Sequence, residues 1–172
     1  MRPKFILVIP ALLVAASALS QTAPHTSELK GSNGTSIGQI TVTPAPNGVL
    51  LRVEVKGLTP GWHGMHFHEK ADCSDAAFKN AGDHVHAKTP VVHGLLNADA
   101  NDAGDLPNLY VTADGTAIVE LNSTLVSIKG EGGRPALLDA DGSALVIHAS
   151  PDDYRSQPIG GAGARVACAV IQ

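Results

Sequence analysis

Histidines are concentrated in one short stretch of this sequence, Gly61–His68, where three of the eight residues carry an imidazole. Side chains in a β-strand alternate between its two faces. His66 and His68 therefore share one face, while Met65 and Phe67 occupy the other, where they can pack into a core. The spacing favours a metal-binding strand with an apolar back, and a pair of surface histidines on an edge strand is the alternative.

Further metal-binding residue types follow in the region 69–109, which shows no sustained helical or strand periodicity, and at the end of a later apolar run. They are His84, His86, His93, Asp102, Asp105 and His148. Imidazole suits copper and zinc, and carboxylate oxygens complete mixed sites. No serine or cysteine nucleophile is set beside a base, and no glycine-rich phosphate loop opens a helix. The residue types therefore favour a metal site.

Short strands joined by turns are expected to position these side chains. Two alternating runs, 37–43 and 49–55, flank the hairpin signal Pro46-Asn47-Gly48, and Asp114-Gly115 predicts a second hairpin. Many short strands with no convincing helix predict an all-β sandwich or barrel. The remaining apolar runs are 109–112, 116–121, 144–148 and 165–171.

Residues 1–20 are typical of a secretory signal peptide. A positively charged start precedes an apolar run at 5–13, and small residues suited to cleavage follow. We expect residues 21–27 to form a flexible leader, in which His25 is solvated. Residues 28–172 are then long enough for one domain with an adequate core.

The two cysteines of the chain, Cys73 and Cys168, both lie in the predicted domain and allow one pairing. Export to the periplasm or another oxidising compartment favours a disulfide that ties the long loop to the last strand. Two buried free thiols are the weaker alternative.

Charge and hydropathy argue against two classes of partner. The net charge is −4, there is no basic run, and aromatic residues make up 3% of the chain, so we do not expect a nucleic-acid partner. After residue 20 no segment is long and apolar enough to span a membrane.

Eight segments of the sequence, in chain order, are GWHGMHFHEK at 61–70, DCS at 72–74, AGDH at 81–84, HGL at 93–95, GDLPNL at 104–109, LDADGSALVIH at 138–148, DDY at 152–154 and PIGGAGARVAC at 158–168. In sequence and in order they resemble the motifs of bacterial, exported copper/zinc superoxide dismutases. The resemblance implies a flattened eight-stranded Greek-key β-barrel, sandwich-like, with a long metal-binding loop and a shorter active-site loop. It also implies dismutation of superoxide to O₂ and hydrogen peroxide.

The same resemblance implies a copper site and the residues that take part in catalysis. The implied copper ligands are His66, His68, His84 and His148. His84 would bridge copper to the second metal and carry a proton during the cycle. Arg165 would draw the superoxide anion to the copper, with a surface arginine as the alternative.

The implied zinc site departs from the family at one position. His84, His93 and Asp105 match the family ligands, but Asp102 stands where the remaining histidine is expected. Asp102 replaces that ligand, or the site binds zinc weakly, or the site is empty. Asp152 matches the carboxylate that joins a copper histidine to a zinc histidine, with an ordinary loop charge as the alternative.

Two further histidines are expected to bind no metal. His63 has the opposite strand parity to His66, and its counterpart in the family hydrogen-bonds to the backbone. His86 is an extra imidazole of the long loop, either exposed there or facing the same side as His84.

The main alternative function is a periplasmic copper-binding or copper-delivery module with little turnover. The Asp102 departure and the low lysine content motivate it. A purely structural β-domain is a weaker alternative, because all four copper positions and Arg165 are retained. The expected oligomeric state is a monomer or a homodimer.

Overall fold

A computed structural model describes residues 23–172 of the chain. The predicted signal peptide and the first residues of the predicted leader lie outside the described residues. Within 23–172, no helix has the length and apolar character needed to cross a membrane. The strands are β1 (His25–Gly31), β2 (Ser36–Ala45), β3 (Gly48–Lys56), β4 (Gly61–His63), β5 (Met65–His68), β6 (Leu109–Val111), β7 (Thr116–Ser123), β8 (Ser143–His148) and β9 (Arg165–Ile171).

Seven strands form one curled antiparallel sheet in the order β5-β8-β9-β1-β2-β3-β7, and β4 pairs with β6 in a second sheet. The order β9-β1-β2-β3 places a strand from the end of the chain beside the first of three consecutive strands. That order is a Greek key. The prediction of an all-β barrel is confirmed. The hairpin between β2 and β3 is also confirmed, since Ala45 pairs with Gly48.

The described residues contain nine strands rather than the eight predicted, because the histidine-rich stretch is divided at Gly64. Its N–H donates to the carbonyl of Ser150, and its carbonyl accepts from the N–H of His148, both at 2.9 Å. The chain therefore changes sheet at this residue: β4 continues to pair with β6, while β5 pairs with β8. A Cβ at Gly64 would lie 2.9 Å from that of Ala162, so the crossing point requires glycine.

Two local predictions were wrong. Strand β1 begins at His25, within the predicted leader, and His25 is half-buried with its Nε2 3.0 Å from the Oγ of Ser27. The alternation in residues 25–28 is too short to be recognised without its neighbour β2, which pairs with all of them. The turn at Asp114-Gly115 forms, but it joins strands of different sheets, since β6 pairs with β4 and β7 pairs with β3.

The core lies between the inward faces of the sheet, and β5 contributes to it as predicted. Met65 and Phe67 are fully buried in the main apolar cluster. A smaller cluster, which contains Phe78, packs around the disulfide between Cys73 and Cys168. This bridge confirms the predicted pairing and fastens the start of the long loop to β9. The two loops that carry the remaining site residues are 69–108 and 149–164.

Candidate metal centre

Strand β5 is the element from which the site is built. One edge of β5 pairs with β8, which ends in His148. The long loop lies along the other edge: the N–H of Phe67 donates to the carbonyl of Gly104, and the N–H of Val85 donates to the carbonyl of Phe67, both at 2.9 Å. These two bonds bring His84 and the segment around Gly104 beside the strand.

Gly104 allows the loop to approach β5 this closely. A Cβ at this position would overlap the carbonyl oxygen of Phe67 and lie 3.1 Å from the Cβ of His84. Because Asp102 and Asp105 flank this glycine, the same close approach delivers two carboxylates to the site.

Four buried histidines converge at the centre, and we call them the four-histidine cluster: His66, His68, His84 and His148. Their ligand atoms all lie within 4.8 Å of one another. Within the described residues, one ring nitrogen of each has no hydrogen-bond partner although it is buried; these atoms are His66 Nδ1, His68 Nε2, His84 Nε2 and His148 Nε2. Buried polar atoms without partners are rare and need an explanation. A bound metal ion supplies one.

Three members of the cluster, His66, His68 and His148, lie on strands, and we call them the strand histidines. In each of them the other ring nitrogen is hydrogen-bonded to an oxygen. His66 Nε2 lies 2.9 Å from an oxygen of Asp152, His68 Nδ1 lies 2.9 Å from the carbonyl of Gly82, and His148 Nδ1 lies 3.0 Å from the carbonyl of Gly163. Each of these nitrogens donates to an oxygen, so the proton of the neutral ring is on that side. The free nitrogen therefore presents a lone pair to the cluster.

Electrostatics favour the neutral, metal-binding form of these rings. Burial lowers the pKa of His66 and lowers the pKa of His68 strongly. Burial, reinforced by the neighbouring histidines, lowers the pKa of His148 to about 3. All three imidazoles are therefore neutral at pH 7, and they would not repel a metal cation bound among them.

A second group of buried side chains adjoins the first and shares His84; we call it the mixed cluster: His84, His93, Asp102 and Asp105. Asp102 Oδ2 lies 2.7 Å from His84 Nδ1 and 3.5 Å from His93 Nδ1. Asp105 Oδ1 lies 2.6 Å from His93 Nδ1 and 3.7 Å from His84 Nδ1. Two imidazole nitrogens and two carboxylate oxygens thus surround one point, which is a donor set suited to zinc.

His93 Nδ1 and Asp105 Oδ1 approach each other without forming a hydrogen bond. Both atoms are buried and, within the described chain, have no hydrogen-bond partner. Because the two atoms are not hydrogen-bonded to each other, each has a lone pair available to a metal ion. This arrangement fits a metal ion in the mixed cluster.

The carboxylates raise the pKa values of the two histidines in the mixed cluster, whereas the pKa values of the strand histidines are lowered. Burial opposes protonation of His93, but the nearby carboxylates of Asp102, Asp105 and Asp152 outweigh it and raise the pKa to about 11. The pKa of His84 is also raised, because the two aspartates outweigh burial. Burial opposes ionisation of Asp102, yet its hydrogen bond to His84 and its proximity to His93 hold its pKa well below the usual range.

Asp152 joins the two clusters. One oxygen lies 2.9 Å from His66 Nε2, and the other lies 3.1 Å from His93 Nε2. A Cβ at Gly160 would overlap this carboxylate, so glycine there leaves the space that Asp152 occupies. Such contacts orient metal-binding imidazoles.

Arg165 lies at the start of β9 beside the four-histidine cluster. Its Nη1 donates to the carbonyl of Phe78 at 2.6 Å, and its Nη2 donates to the carbonyl of Gly82 at 2.7 Å. The carbonyl of Gly82 also accepts from His68, so the guanidinium and this ring are held by one oxygen. Burial lowers the pKa of Arg165, but a guanidinium stays charged at any physiological pH.

The structure also places the other histidines. His66 also belongs to a second set of possible ligands whose atoms lie within 4.8 Å of one another, His66, His84, His93 and Asp105, a set that does not include Asp102. A neutral imidazole has one lone pair, so His66 can serve one metal. His63 bonds to backbone, as predicted, with its Nδ1 2.6 Å from the carbonyl of His148. His86 belongs to neither cluster; it is half-buried, and its Nδ1 lies 2.7 Å from the carbonyl of His84.

Two amide side chains that the sequence did not single out hold the site together. Gln157 makes two hydrogen bonds to the backbone of His93, each of 2.9 Å. Asn108 makes two hydrogen bonds to the backbone of Asp152, also of 2.9 Å. Both pairs join residues that are far apart in the sequence. No local pattern could have identified them.

Comparison with known proteins agrees with this geometry. The sequence profile of the family described as copper/zinc superoxide dismutase (SODC) matches residues 36–171. A copper-zinc superoxide dismutase of Caulobacter vibrioides is 64% identical over 147 residues, which cover 86% of this chain and 84% of the relative. A superoxide dismutase-like protein from Bacillus subtilis superposes with a TM-score of 0.79 at 35% identity, over 86% of this chain and 98% of that chain.

The Cu/Zn superoxide dismutase from Brucella abortus superposes with a TM-score of 0.70 at 28% identity, over 87% of this chain and 100% of that chain. Fold and site together define a β-barrel protein with two adjoining metal-binding clusters. The chain belongs to the copper/zinc superoxide dismutase family. Copper and zinc are the metals of this family, and the imidazoles and carboxylates of the two clusters are residue types that fit them.

Proposed function

We propose that this protein dismutates superoxide, with copper held by the four-histidine cluster. The observation that carries the proposal is the convergence of four buried imidazole nitrogens that have no hydrogen-bond partner within the described residues. Four imidazole nitrogen donors are a set that suits copper. The dismutase activity of the relatives supports the same reading, and a copper-delivery module is not favoured.

Copper supplies two one-electron steps, oxidation of one superoxide to O₂ and reduction of a second superoxide, with two protons, to hydrogen peroxide. The protein residues bind the anion and move the protons. Arg165 is the fixed positive charge beside His68, and we assign it to attracting and orienting superoxide. His84 Nε2 faces the cluster, and we assign it to holding a proton between the two half-reactions.

The mixed cluster is proposed to bind zinc through His84, His93, Asp102 and Asp105. Asp102 fills the place of the expected third histidine with an oxygen that lies near both imidazole nitrogens. Oxygen and nitrogen ligands of zinc lie at similar distances from the metal, so the exchange preserves a four-donor set. Asp152 is proposed to hold His66 and His93 in position for their metals.

An exported, periplasmic location is proposed together with this function. The disulfide between Cys73 and Cys168 supports it, because disulfides persist in oxidising compartments. The signal-peptide pattern of residues 1–20 agrees with the same location.

Metal content per chain, measured after reconstitution with copper and zinc, and superoxide decay by each form test the proposal. We expect one copper and one zinc with turnover. Copper alone with turnover would show that the mixed cluster does not bind zinc. Copper without turnover, at the level of copper bound to a peptide, would overturn the enzyme and revive the delivery module.

A further inference from the structure

Asp102 is the residue at which this metal centre departs from the expected donor set, and its contacts differ from those of a simple ligand. We infer that Asp102 is also a positioning residue for the copper ligand His84, and that it holds this ring in its copper-binding tautomer when zinc is absent. The inference rests on the proposed copper role of the four-histidine cluster. It assigns to one carboxylate two alternative tasks, which depend on whether zinc is bound.

Both oxygens of Asp102 have defined partners. Oδ1 accepts the backbone N–H of Gly104 at 3.0 Å, and Oδ2 lies 2.7 Å from His84 Nδ1 in hydrogen-bond geometry. The residue is 3% exposed, and each of its carboxylate oxygens faces a nitrogen at hydrogen-bond distance, so Asp102 acts as an acceptor through both oxygens. A carboxylate in this position can only accept, and the proton of the neutral His84 ring is therefore on Nδ1.

The consequence appears at the opposite side of the ring. With the proton on Nδ1, the lone pair of His84 is on Nε2, the buried atom that faces the four-histidine cluster. A carboxylate that accepts from the far nitrogen of a metal-binding imidazole fixes its tautomer and orientation. Without zinc, Asp102 thus keeps the fourth copper donor in place. If zinc is bound, Asp102 would be one of the residues that hold it, and the proton on His84 Nδ1 would be released to solvent.

Asp105, the other carboxylate of the mixed cluster, does not share this arrangement. Its Oδ2 accepts the N–H of Gly94 at 2.7 Å, and its Oδ1 lies 3.7 Å from His84 Nδ1, beyond hydrogen-bond distance. Asp105 can bind zinc, but it cannot hold the His84 tautomer. The two aspartates have the same charge and similar burial, so they form a matched pair for a test.

The test compares Asp102→Asn with Asp105→Asn in the full protein, freed of zinc and loaded with copper alone. In Asp102→Asn the N–H of Gly104 requires an oxygen, so the amide NH₂ is turned towards His84 Nδ1 and donates to it. The ring proton then moves to Nε2, where it blocks copper. Copper affinity is measured by competition with a chelator, and the number of nitrogen donors is read from the electron paramagnetic resonance of the bound ion.

Each substitution removes one negative charge, so a purely electrostatic effect weakens copper binding in both variants alike. We expect Asp102→Asn to weaken copper binding about 10- to 100-fold more than Asp105→Asn, as for other residues that orient metal ligands. We also expect one fewer nitrogen donor in Asp102→Asn alone. Equal copper affinities in the two variants would overturn the inference.

A second measurement uses the wild-type protein and therefore does not depend on whether a variant folds. In the metal-free wild-type protein, at a pH above the titration of His84, the ring nitrogen shifts in NMR report the tautomer. The expected form carries the proton on Nδ1, and a proton on Nε2 would overturn the inference. Failure of the proposed function has a different signature, since wild-type protein would then show no turnover, with copper bound or without it, whatever the tautomer of His84.

Discussion

The two halves of the metal centre are built in different ways. In the four-histidine cluster, three members lie on the paired strands β5 and β8, and their donors are neutral imidazoles. In the mixed cluster, all four members lie in the long loop 69–108, and two donors are carboxylates. The two halves share His84 and the carboxylate of Asp152, yet one depends on the sheet and the other on contacts that hold a loop.

The comparison shows that a rigid sheet can bring neutral donors together without electrostatic help. The strand histidines have lowered pKa values, and their positions are set by the strand pairing. The loop is held in place by contacts with other segments. These contacts are the disulfide, the two hydrogen bonds between Gln157 and the backbone of His93, and the close approach of Gly104 to β5. We therefore expect disturbances of the loop and of the strands to affect different metals.

Removal of the disulfide by Cys73→Ser together with Cys168→Ser is expected to have the largest effect. The bridge joins residues 95 positions apart, and chain entropy predicts a loss of about 4 to 5 kcal/mol in the free energy of unfolding. The denaturant midpoint measures it. Zinc affinity should fall more than copper affinity in the folded variant. Equal losses of affinity would contradict the conclusion that the disulfide mainly supports the mixed cluster.

His68→Ala removes a strand donor and is expected to lower superoxide turnover more than about 100-fold. It takes away a proposed copper ligand, and even residues that only support a ligand change affinity about 10- to 100-fold. The matched control is His93→Ala in the mixed cluster, which should lose zinc but keep much of the turnover. Activity and bound metal are measured for both variants. Similar turnover in the two would show that the halves are not separable.

Arg165→Ala is expected to lower turnover about tenfold or more, because it removes the fixed charge that we propose attracts the anion. Copper and zinc content should not change, since Arg165 donates to two carbonyls and belongs to neither cluster. Arg165→Lys, which keeps a charge but not the two-pronged contact, should recover part of the rate. A loss of copper in Arg165→Ala would assign the residue to the structure of the site instead.

The pH dependence of metal affinity is expected to separate the halves most finely. The pKa of His93 is raised to about 11, so zinc must displace a proton at pH 7 and its affinity should rise with pH, by about tenfold per unit for each proton released. The pKa values of His66, His68 and His148 are lowered, whereas that of His84 is raised. Copper is therefore expected to displace a proton from His84 alone. Titration calorimetry in two buffers counts the protons. A larger release with copper than with zinc would contradict this contrast.

Much of the fold and of the candidate site could be predicted from local pattern. The parity of His66 and His68 predicted that Met65 and Phe67 face the core, and both are buried there. The cysteine pairing followed from there being one possible choice. The division at Gly64 could not be predicted, because the change of sheet depends on Ser150 and His148, which approach from a distant part of the chain.

The sequence by itself determined the donor types, their order and the family to which they belong, since these depend on residue identity and spacing. Tertiary structure alone decided which donors meet. The position of Asp102 beside His84 depends on the loop lying along the free edge of β5 and on the fit of Gly104 against Phe67. Those contacts join segments that are remote along the chain, where packing rather than local periodicity fixes the distances.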